Sequence, residues 1–190
     1  MPIFILLLTG AYLAGSVNFP ILLFKTLGKG DPRNKFSGNP GAFNVYRQLG
    51  VIWALVILLL DMSRAIAVAL ISVKLISFQL LPWVGLGLIL GNRFPCFHGF
   101  KGGKGVANYL GFSAVIVPVF AAISVPVWLV LYALFRIAFI GSLSMVFVLG
   151  AGTLYFFDFD PVAGTGVVAT VALIVYSHKN NMRDLFQKKK

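Results

Sequence analysis

The chain alternates between long apolar segments and short polar ones. A membrane-spanning helix needs about 20 apolar residues, fewer where it packs inside a bundle. The segments that meet this description are 2–24, 50–73, 80–92, about 105–117, 118–135, 138–157 and 161–177. The central ones are short and interrupted by glycine or by Pro118 and Pro126. This pattern predicts an all-α, polytopic membrane bundle with five to seven crossings, about seven being favoured, in a single domain over residues 1–190.

Composition supports the membrane assignment. The 190 residues are 59% hydrophobic and 11% charged, whereas a soluble domain carries roughly 25% charged residues. The net charge is +11, with 16 Lys and Arg against five acids, all of them Asp. In a membrane protein such an excess is explained by basic loops that face anionic lipid, so we expect membrane lipid and not nucleic acid as a partner.

The basic residues also predict sidedness. If the seven segments cross in turn, fourteen of the sixteen basic residues share one face. The loops on the opposite face hold little beyond Lys74, Asp158 and Asp160. The positive-inside rule then places the basic face and the C-terminus in the cytoplasm and the N-terminus outside. No basic residue precedes the first apolar run, so we read it as a retained helix and not as a cleaved signal peptide.

Several kinds of chemistry are disfavoured. Cys96 is the only cysteine, and His98 and His178 are the only histidines, so we expect no intramolecular disulfide, no metal and no redox cofactor. Asp61 and Arg64 lie three residues apart within an apolar segment and can share a helix face. We interpret them as a structural ion pair in preference to a part of a reaction.

The stretch GFKGGKGV, residues 99–106, combines glycines that allow close backbone approach with mobile positive charge, as a phosphate-binding loop does. It is not a nucleotide P-loop, because His98 and Gly105 stand where that motif needs its first Gly and its Ser or Thr. Three other segments would share its face: 31–50, the segment around Ser142, and the end of the last span with His178 and Asn181. Together they predict a polar pocket that binds an anion.

These motifs carry a resemblance to a known family. SGNPGAFN followed by Arg47, then FPCFHGFKGGKGVA, then Ser142 and HKNN resemble the bacterial acyl-phosphate:glycerol-3-phosphate acyltransferases, the PlsY family. The resemblance implies a seven-helix inner-membrane enzyme whose active site opens to the cytoplasm. It implies transfer of a fatty acyl group from acyl phosphate to the sn-1 hydroxyl of glycerol 3-phosphate, giving lysophosphatidic acid and phosphate for phospholipid biosynthesis. It implies no coenzyme A, no cofactor and no obligate protein partner.

The resemblance also assigns site residues, matched motif by motif. The catalytic residues are Ser142, His178, Asn181 and Lys104. The substrate-phosphate-binding residues are Ser37, Asn39, Asn44, Arg47, Gly102, Gly103 and Lys104. This sequence departs from the family at Phe43, Asn92, Phe139 and Ser177, where the family usually has Thr, His, Ser and Arg, and at Ser63-Arg64, where it has Lys-Gly. These positions are where substrate preference or activity would differ.

The residues leave the mechanism partly open. A His followed five residues later by an Asp is absent, because Gly103 follows His98 and Arg183 follows His178 at that spacing. We therefore expect the acyl carbonyl to be polarised by N–H groups of the glycine loop or by Ser142, and His178 to orient glycerol 3-phosphate. The proton goes either to the acyl phosphate or to His178. The alternative functions are an organic-phosphate transporter and an inactive lipid-binding homologue.

Overall fold

The structure is a computed structural model that describes residues 1–187, apart from the side chain of Phe186. These residues form ten α-helices and three short 3-10 helices, with no strand among them. The α-helices are α1 (Pro2–Ser16), α2 (Phe19–Thr26), α3 (Ala42–Leu49), α4 (Val51–Leu75), α5 (Leu81–Arg93), α6 (Val106–Ile116), α7 (Pro118–Phe135), α8 (Ala138–Phe156), α9 (Pro161–Ser177) and α10 (Lys179–Gln187). The 3-10 helices are Pro32–Asn34, Phe78–Leu80 and Cys96–His98. The all-α prediction is confirmed.

Each predicted apolar segment corresponds to helix. Within the described residues, five helical stretches are long and apolar enough to cross a membrane, and six if the bent pair of α9 and α10 counts as one span. The five are Pro2–Thr26, Val51–Leu75, Phe78–His98, Pro118–Phe135 and Ala138–Phe156. The bend between α9 and α10 is 48°. The chain is therefore an integral membrane helical bundle.

The first predicted span is broken into two helices. Val17 and Asn18 have extended backbones, and the Asn18 side chain accepts a hydrogen bond from the N–H of Ile21, which caps the start of α2. Pro20 follows in the first turn of α2, where its missing N–H costs nothing. The break turns the chain towards the polar segment 31–50.

The predicted ion pair is confirmed, and it supports this break. Arg64 donates to the carboxylate of Asp61 at 2.7 Å, and both side chains are buried. The same guanidinium donates to Asn108 at 2.7 Å and to the carbonyl oxygens of Ala14 and Val17 at the end of α1. Carbonyls at the C-terminus of a helix lack their usual partners in a following turn, although that of Ala14 also accepts from the N–H of Val17 at 3.2 Å. The pair thus joins α4, α6 and the break between α1 and α2.

Glycines bring α1 and α5 into backbone contact. A Cβ on Gly91 would lie 2.0 Å from the carbonyl oxygen of Tyr12, and one on Gly15 would lie 2.1 Å from that of Leu88. Side chains larger than hydrogen are therefore excluded at this crossing, as in other close helix pairs within membranes. This packing holds the C-terminal end of α5 in place, and the glycine loop follows directly from there.

Helix α6 is short because it lies inside the bundle. Its 11 residues extend about 16 Å, too little to cross a bilayer alone. Leu110 and Phe112 are buried among neighbouring helices, and Gly111 lies against the backbone of Met62 in α4. The N-terminus of α6 is therefore fixed by packing on several sides, and Lys104 comes immediately before it.

Candidate active site

The predicted polar segments converge at one end of the bundle. Arg33 joins segment 31–50 to the glycine loop (residues 99–105), since its guanidinium donates to the carbonyl oxygens of His98 at 3.0 Å and Lys101 at 2.7 Å. Lys104 in turn donates to the side-chain oxygen of Asn181 on α10. Phe43 on α3 packs edge-on against Tyr132 of α7, with ring centroids 5.5 Å apart. Elements distant in sequence therefore form one polar region.

The glycine loop is held by the end of α5. The N–H of Gly103 donates to the carbonyl oxygen of Asn92 at 2.9 Å, and that of Gly102 donates to the carbonyl oxygen of Arg93 at 3.1 Å. A Cβ on Gly102 would lie 2.0 Å from the Asn92 oxygen, so only glycine permits this approach. These contacts position Gly102 and Gly103 against α5, and their predicted binding of substrate phosphate stays a prediction. The N–H groups of these two glycines donate within the protein, and the expected polarisation of an acyl carbonyl by the glycine loop stays a prediction.

The backbone N–H donors that remain for an anion lie just beyond Gly102 and Gly103. Gly105 has a left-handed backbone, with φ of 84°, and leads into α6, whose first turn has no side-chain cap. The first N–H groups of a helix have no partner within it, and the helix dipole makes that end attractive to anions. Lys104 adds a full positive charge immediately before it. This arrangement is suited to a phosphate.

Lys104 is a partly buried ammonium group. Burial, together with the positive charge of Arg93, lowers the pKa of Lys104 to about 8, while Asp184 acts in the opposite direction. Burial disfavours the charged form because it removes water from the ammonium group. Lys104 therefore remains mostly protonated at pH 7, but its charge costs more to maintain than that of an exposed lysine, so a bound anion would stabilise it.

His178 is placed beside Lys104 at the end of α9. The side chain is buried, at 2% exposure, and close enough to Lys104 and Arg93 for their charges to act on it. Its Nδ1 lies 2.8 Å from the carbonyl oxygen of Ile174. A carbonyl oxygen can only accept, so Nδ1 carries the proton and a neutral ring presents the lone pair of Nε2. The ring can thus accept a proton or a hydrogen bond through Nε2.

Segment 31–50 is shaped by its own side chains. Asn44 is buried and donates to the carbonyl oxygens of Pro32 at 2.9 Å and Lys35 at 3.3 Å. Within the described residues, the side-chain oxygens of Asn44 and Asn39 are buried and have no hydrogen-bonding partner. Ser37 is exposed in the loop. The predicted roles of these three residues stay predictions, with two of them presenting acceptor oxygens.

Arg47 and Ser142 lie around an aromatic cluster that the sequence did not predict. The cluster consists of Phe43, Trp128 and Tyr132, with Trp128 stacked on Tyr132 at 5.1 Å. The exposed Arg47 lies 5.0 Å from the centre of the Phe43 ring. Ser142 accepts from Trp128 Nε1 at 3.3 Å and donates to the carbonyl oxygen of Ala138 at 3.0 Å. The hydrogen bonds of Ser142 thus join α7 and α8, and its catalytic role stays a prediction.

Two further arginines contribute to this region and were missed as site residues. Arg33 is oriented by Asp31, whose carboxylate accepts from its Nε at 2.9 Å. Arg93 ends α5 beside the glycine loop. The available signal for Arg93 was its place in the sequence, a basic residue at the end of a span and six residues before Gly99. The signal for Arg33 was the acid two residues earlier.

Comparison with known proteins gives a consistent result. A family model described as glycerol-3-phosphate acyltransferase matches residues 5–188. The glycerol-3-phosphate acyltransferase of a Pseudomonas fluorescens strain is 37% identical over 185 residues, 96% of each chain. That of Aquifex aeolicus is 38% identical over 185 residues, 92% of this chain and 91% of the relative.

Solved structures agree in fold. The glycerol 3-phosphate form of PlsY, described as an integral membrane glycerol 3-phosphate acyltransferase, has a TM-score of 0.88 and 34% identity, covering 98% of this chain and 94% of that one. The lysophosphatidic acid form of PlsY has a TM-score of 0.85 and 33% identity, covering 98% and 93%. The likeness therefore covers almost all of both chains.

Proposed function

Because this chain belongs to the glycerol-3-phosphate acyltransferase family, we propose that it transfers a fatty acyl group to the sn-1 hydroxyl of glycerol 3-phosphate and releases lysophosphatidic acid. We propose that the acyl donor is a fatty acyl phosphate, that coenzyme A is not used, and that the whole chain is one acyltransferase domain. The other product is then inorganic phosphate.

The observation that carries the proposal is the arrangement around Lys104. The ammonium group lies directly before the N-terminus of α6, contacts Asn181, and has His178 close by. Both proposed substrates carry a phosphate with close to two negative charges, which these groups can bind. Each charge-assisted contact contributes about 1.5–3 kcal/mol. Binding both phosphates side by side would bring the hydroxyl and the acyl carbonyl into reacting position.

The reaction balances without a further reagent. The hydroxyl oxygen of glycerol 3-phosphate bonds to the acyl carbonyl carbon, and the bond from that carbon to the phosphate oxygen breaks, with its electron pair leaving on phosphate. The hydroxyl proton goes either to the departing phosphate or to His178. The protonated Nδ1 of His178 supports the second route, because Nε2 then has the free lone pair. Asn181 would keep Lys104 in position.

A compact donor suits the short segments at this end of the bundle. The connections that carry the site, residues 27–41 and 94–105, are short and include no additional domain. An acyl phosphate needs little space outside the bundle, because its tail can lie among the apolar helices while its head reaches Lys104. A coenzyme A thioester would need space for an adenine and a further phosphate. The geometry therefore favours the acyl phosphate.

Donor use is the experiment that tests this function. We expect purified protein to convert glycerol 3-phosphate with palmitoyl phosphate and to leave palmitoyl-CoA unused, with no change when a chelator is added. Lysophosphatidic acid and released phosphate would be measured with each donor in turn. With the acyl phosphate, we expect the two products to form in equal molar amounts. Equal or better use of the thioester would contradict the proposed donor.

We also propose that the enzyme lies in the cytoplasmic (inner) membrane with this end of the bundle in the cytoplasm. The asymmetry of the basic residues supports it. In a Cys96→Ala background, Ser37→Cys and Ser77→Cys place single thiols at exposed serines on opposite ends of the bundle. We expect a membrane-impermeant maleimide to label position 77 and not position 37 in intact cells, and both after lysis. The reverse pattern in intact cells would overturn the orientation.

A further inference from the structure

Arg93, at the edge of the site, has a guanidinium nitrogen without a hydrogen-bonding partner in the described part of the chain. Its backbone oxygen accepts from Gly102 at 3.1 Å, and its guanidinium lies 5.3 Å from the centre of the Phe94 ring. The Nε atom is buried, and across residues 1–187 it has no hydrogen-bonding partner. A guanidinium group carries donors and no acceptor, and leaving a buried one such as this Nε unpaired is costly. Such a group favours an anion.

The five acids of the chain do not supply that anion. Asp31 and Asp61 are each bonded to an arginine close in sequence, Arg33 and Arg64. Asp158 and Asp160 lie at the opposite end of the bundle, between α8 and α9. Asp184 on α10 is exposed and 4.0 Å from Arg183. Within the described residues no carboxylate is therefore paired with Arg93, and the group that acts on its charge with opposite sign is the phenol of Tyr176.

Arg93 shares its surroundings with the groups of the proposed site. Its charge acts on both Lys104 and His178, and its backbone oxygen is bonded to Gly102, two residues before Lys104. The charges of Arg93 and Lys104 repel each other, and an anion bound by both would offset that repulsion. The planar fork of an arginine fits two oxygens of a phosphate, whereas a lysine contributes a single point charge.

We propose that Arg93 is a second cationic ligand of a substrate phosphate dianion, which it shares with Lys104. The inference rests on the proposed function, because it takes the phosphate to be that of glycerol 3-phosphate or of the acyl phosphate. A dianion between the two cations would give the donors of Arg93 acceptors and remove the repulsion with Lys104. Arg93 thus acts in substrate binding more than in proton transfer.

The test compares Arg93→Gln with Lys29→Gln, which removes one charge from an exposed lysine in the connection after α2. We expect the KM for one substrate to rise tenfold or more, about the loss of one charge-assisted contact, in Arg93→Gln and not in Lys29→Gln. A rise for glycerol 3-phosphate assigns Arg93 to that phosphate, and a rise for palmitoyl phosphate alone assigns it to the donor. Arg93→Lys should recover part of the loss. Unchanged KM values for both substrates would overturn the proposal.

A second readout separates binding from a purely structural role. Protonated Lys104 is the form that binds phosphate, so kcat/KM should fall as pH rises through its pKa of about 8. Because the charge of Arg93 lowers that pKa and Asp184 raises it, Arg93→Gln should move the alkaline fall to higher pH. If KM rises in Arg93→Gln but the alkaline fall of kcat/KM stays at the same pH, the variant has a structural defect and the proposal is overturned.

Failure of the proposed function gives a different result. In that case wild-type protein makes no lysophosphatidic acid with either donor. Arg93 is then still tested by calorimetry, in which glycerol 3-phosphate and inorganic phosphate are each titrated into wild-type protein and Arg93→Gln. Binding that weakens tenfold or more in the variant supports the proposal, and equal binding to both proteins overturns it.

Discussion

Replacing Lys104 by alanine is expected to lower kcat/KM for glycerol 3-phosphate about 100-fold or more, the effect of losing one strong transition-state contact. The substitution removes the ammonium group between Asn181 and the N-terminus of α6. It creates no close contact, because alanine is smaller, so the folded fraction and the melting temperature should change little. The measurement is steady-state formation of lysophosphatidic acid by purified variant and wild type, with thermal unfolding measured on the same samples.

Lys101→Ala provides the matched control for this prediction. Lys101 belongs to the same loop and carries the same charge, but its side chain is exposed and only its backbone oxygen is used, by Arg33. Its removal should leave kcat/KM within about threefold of wild type, as expected of a surface change. Near-normal turnover by Lys104→Ala, or equal losses in the two variants, would indicate that the loop has only a structural role.

The second large effect is expected from Gly102→Ala. The added Cβ would lie 2.0 Å from the Asn92 oxygen and 2.6 Å from Pro95 Cδ, and neither belongs to a flexible side chain. The loop must therefore move away from α5, and Lys104 moves with it. A displacement of about 1 Å can cost 100-fold in rate, and the overpacking itself costs about 1–3 kcal/mol of stability. Activity and thermal unfolding of the purified variant measure both losses.

Gly10→Ala is the corresponding control, because a Cβ at that position has nothing within 4 Å. Alanine is also the better helix former in α1, so stability should be unchanged or slightly higher. If Gly102→Ala kept wild-type activity and stability, the close approach of the loop to α5 would not be needed for either.

The helices could be predicted well because hydropathy alone decides which segments leave water. Apart from the first, the predicted spans agree with the helices to within two residues. The first was wrong as a continuous helix, because the break at Val17 and Asn18 depends on Arg64, whose hydrogen bonds reach back 47 and 50 residues. Helix α3 was not predicted either. Its polar, glycine-flanked sequence is typical of a turn, and its buried Asn44 and Val45 are explained only by tertiary packing.

The site could be predicted only in part, because some of its residues depend on partners distant in sequence. Motif residues such as Lys104 and Asn181 were identified in advance, and the structure brings these two into contact. The hydrogen bonds of Gly102 and Gly103 to Asn92 and Arg93 could not be inferred, since glycine allows both close packing and anion binding. Their predicted binding of substrate phosphate stays a prediction. Arg33 was missed because the acid two residues earlier indicates only a local ion pair, while its partners in the site lie 65 and 68 residues away. Residues whose function depends on such distant partners require the structure.

The central claim is that this bundle is an enzyme that consumes glycerol 3-phosphate and not a channel that moves it. Proteoliposomes containing purified protein would be supplied with radiolabelled glycerol 3-phosphate and palmitoyl phosphate, and the label followed in the lipid fraction and in the sealed lumen. We predict that label accumulates as lysophosphatidic acid, one phosphate being released for each molecule formed. Label that enters the lumen as unchanged glycerol 3-phosphate, with none in lysophosphatidic acid, would contradict the account.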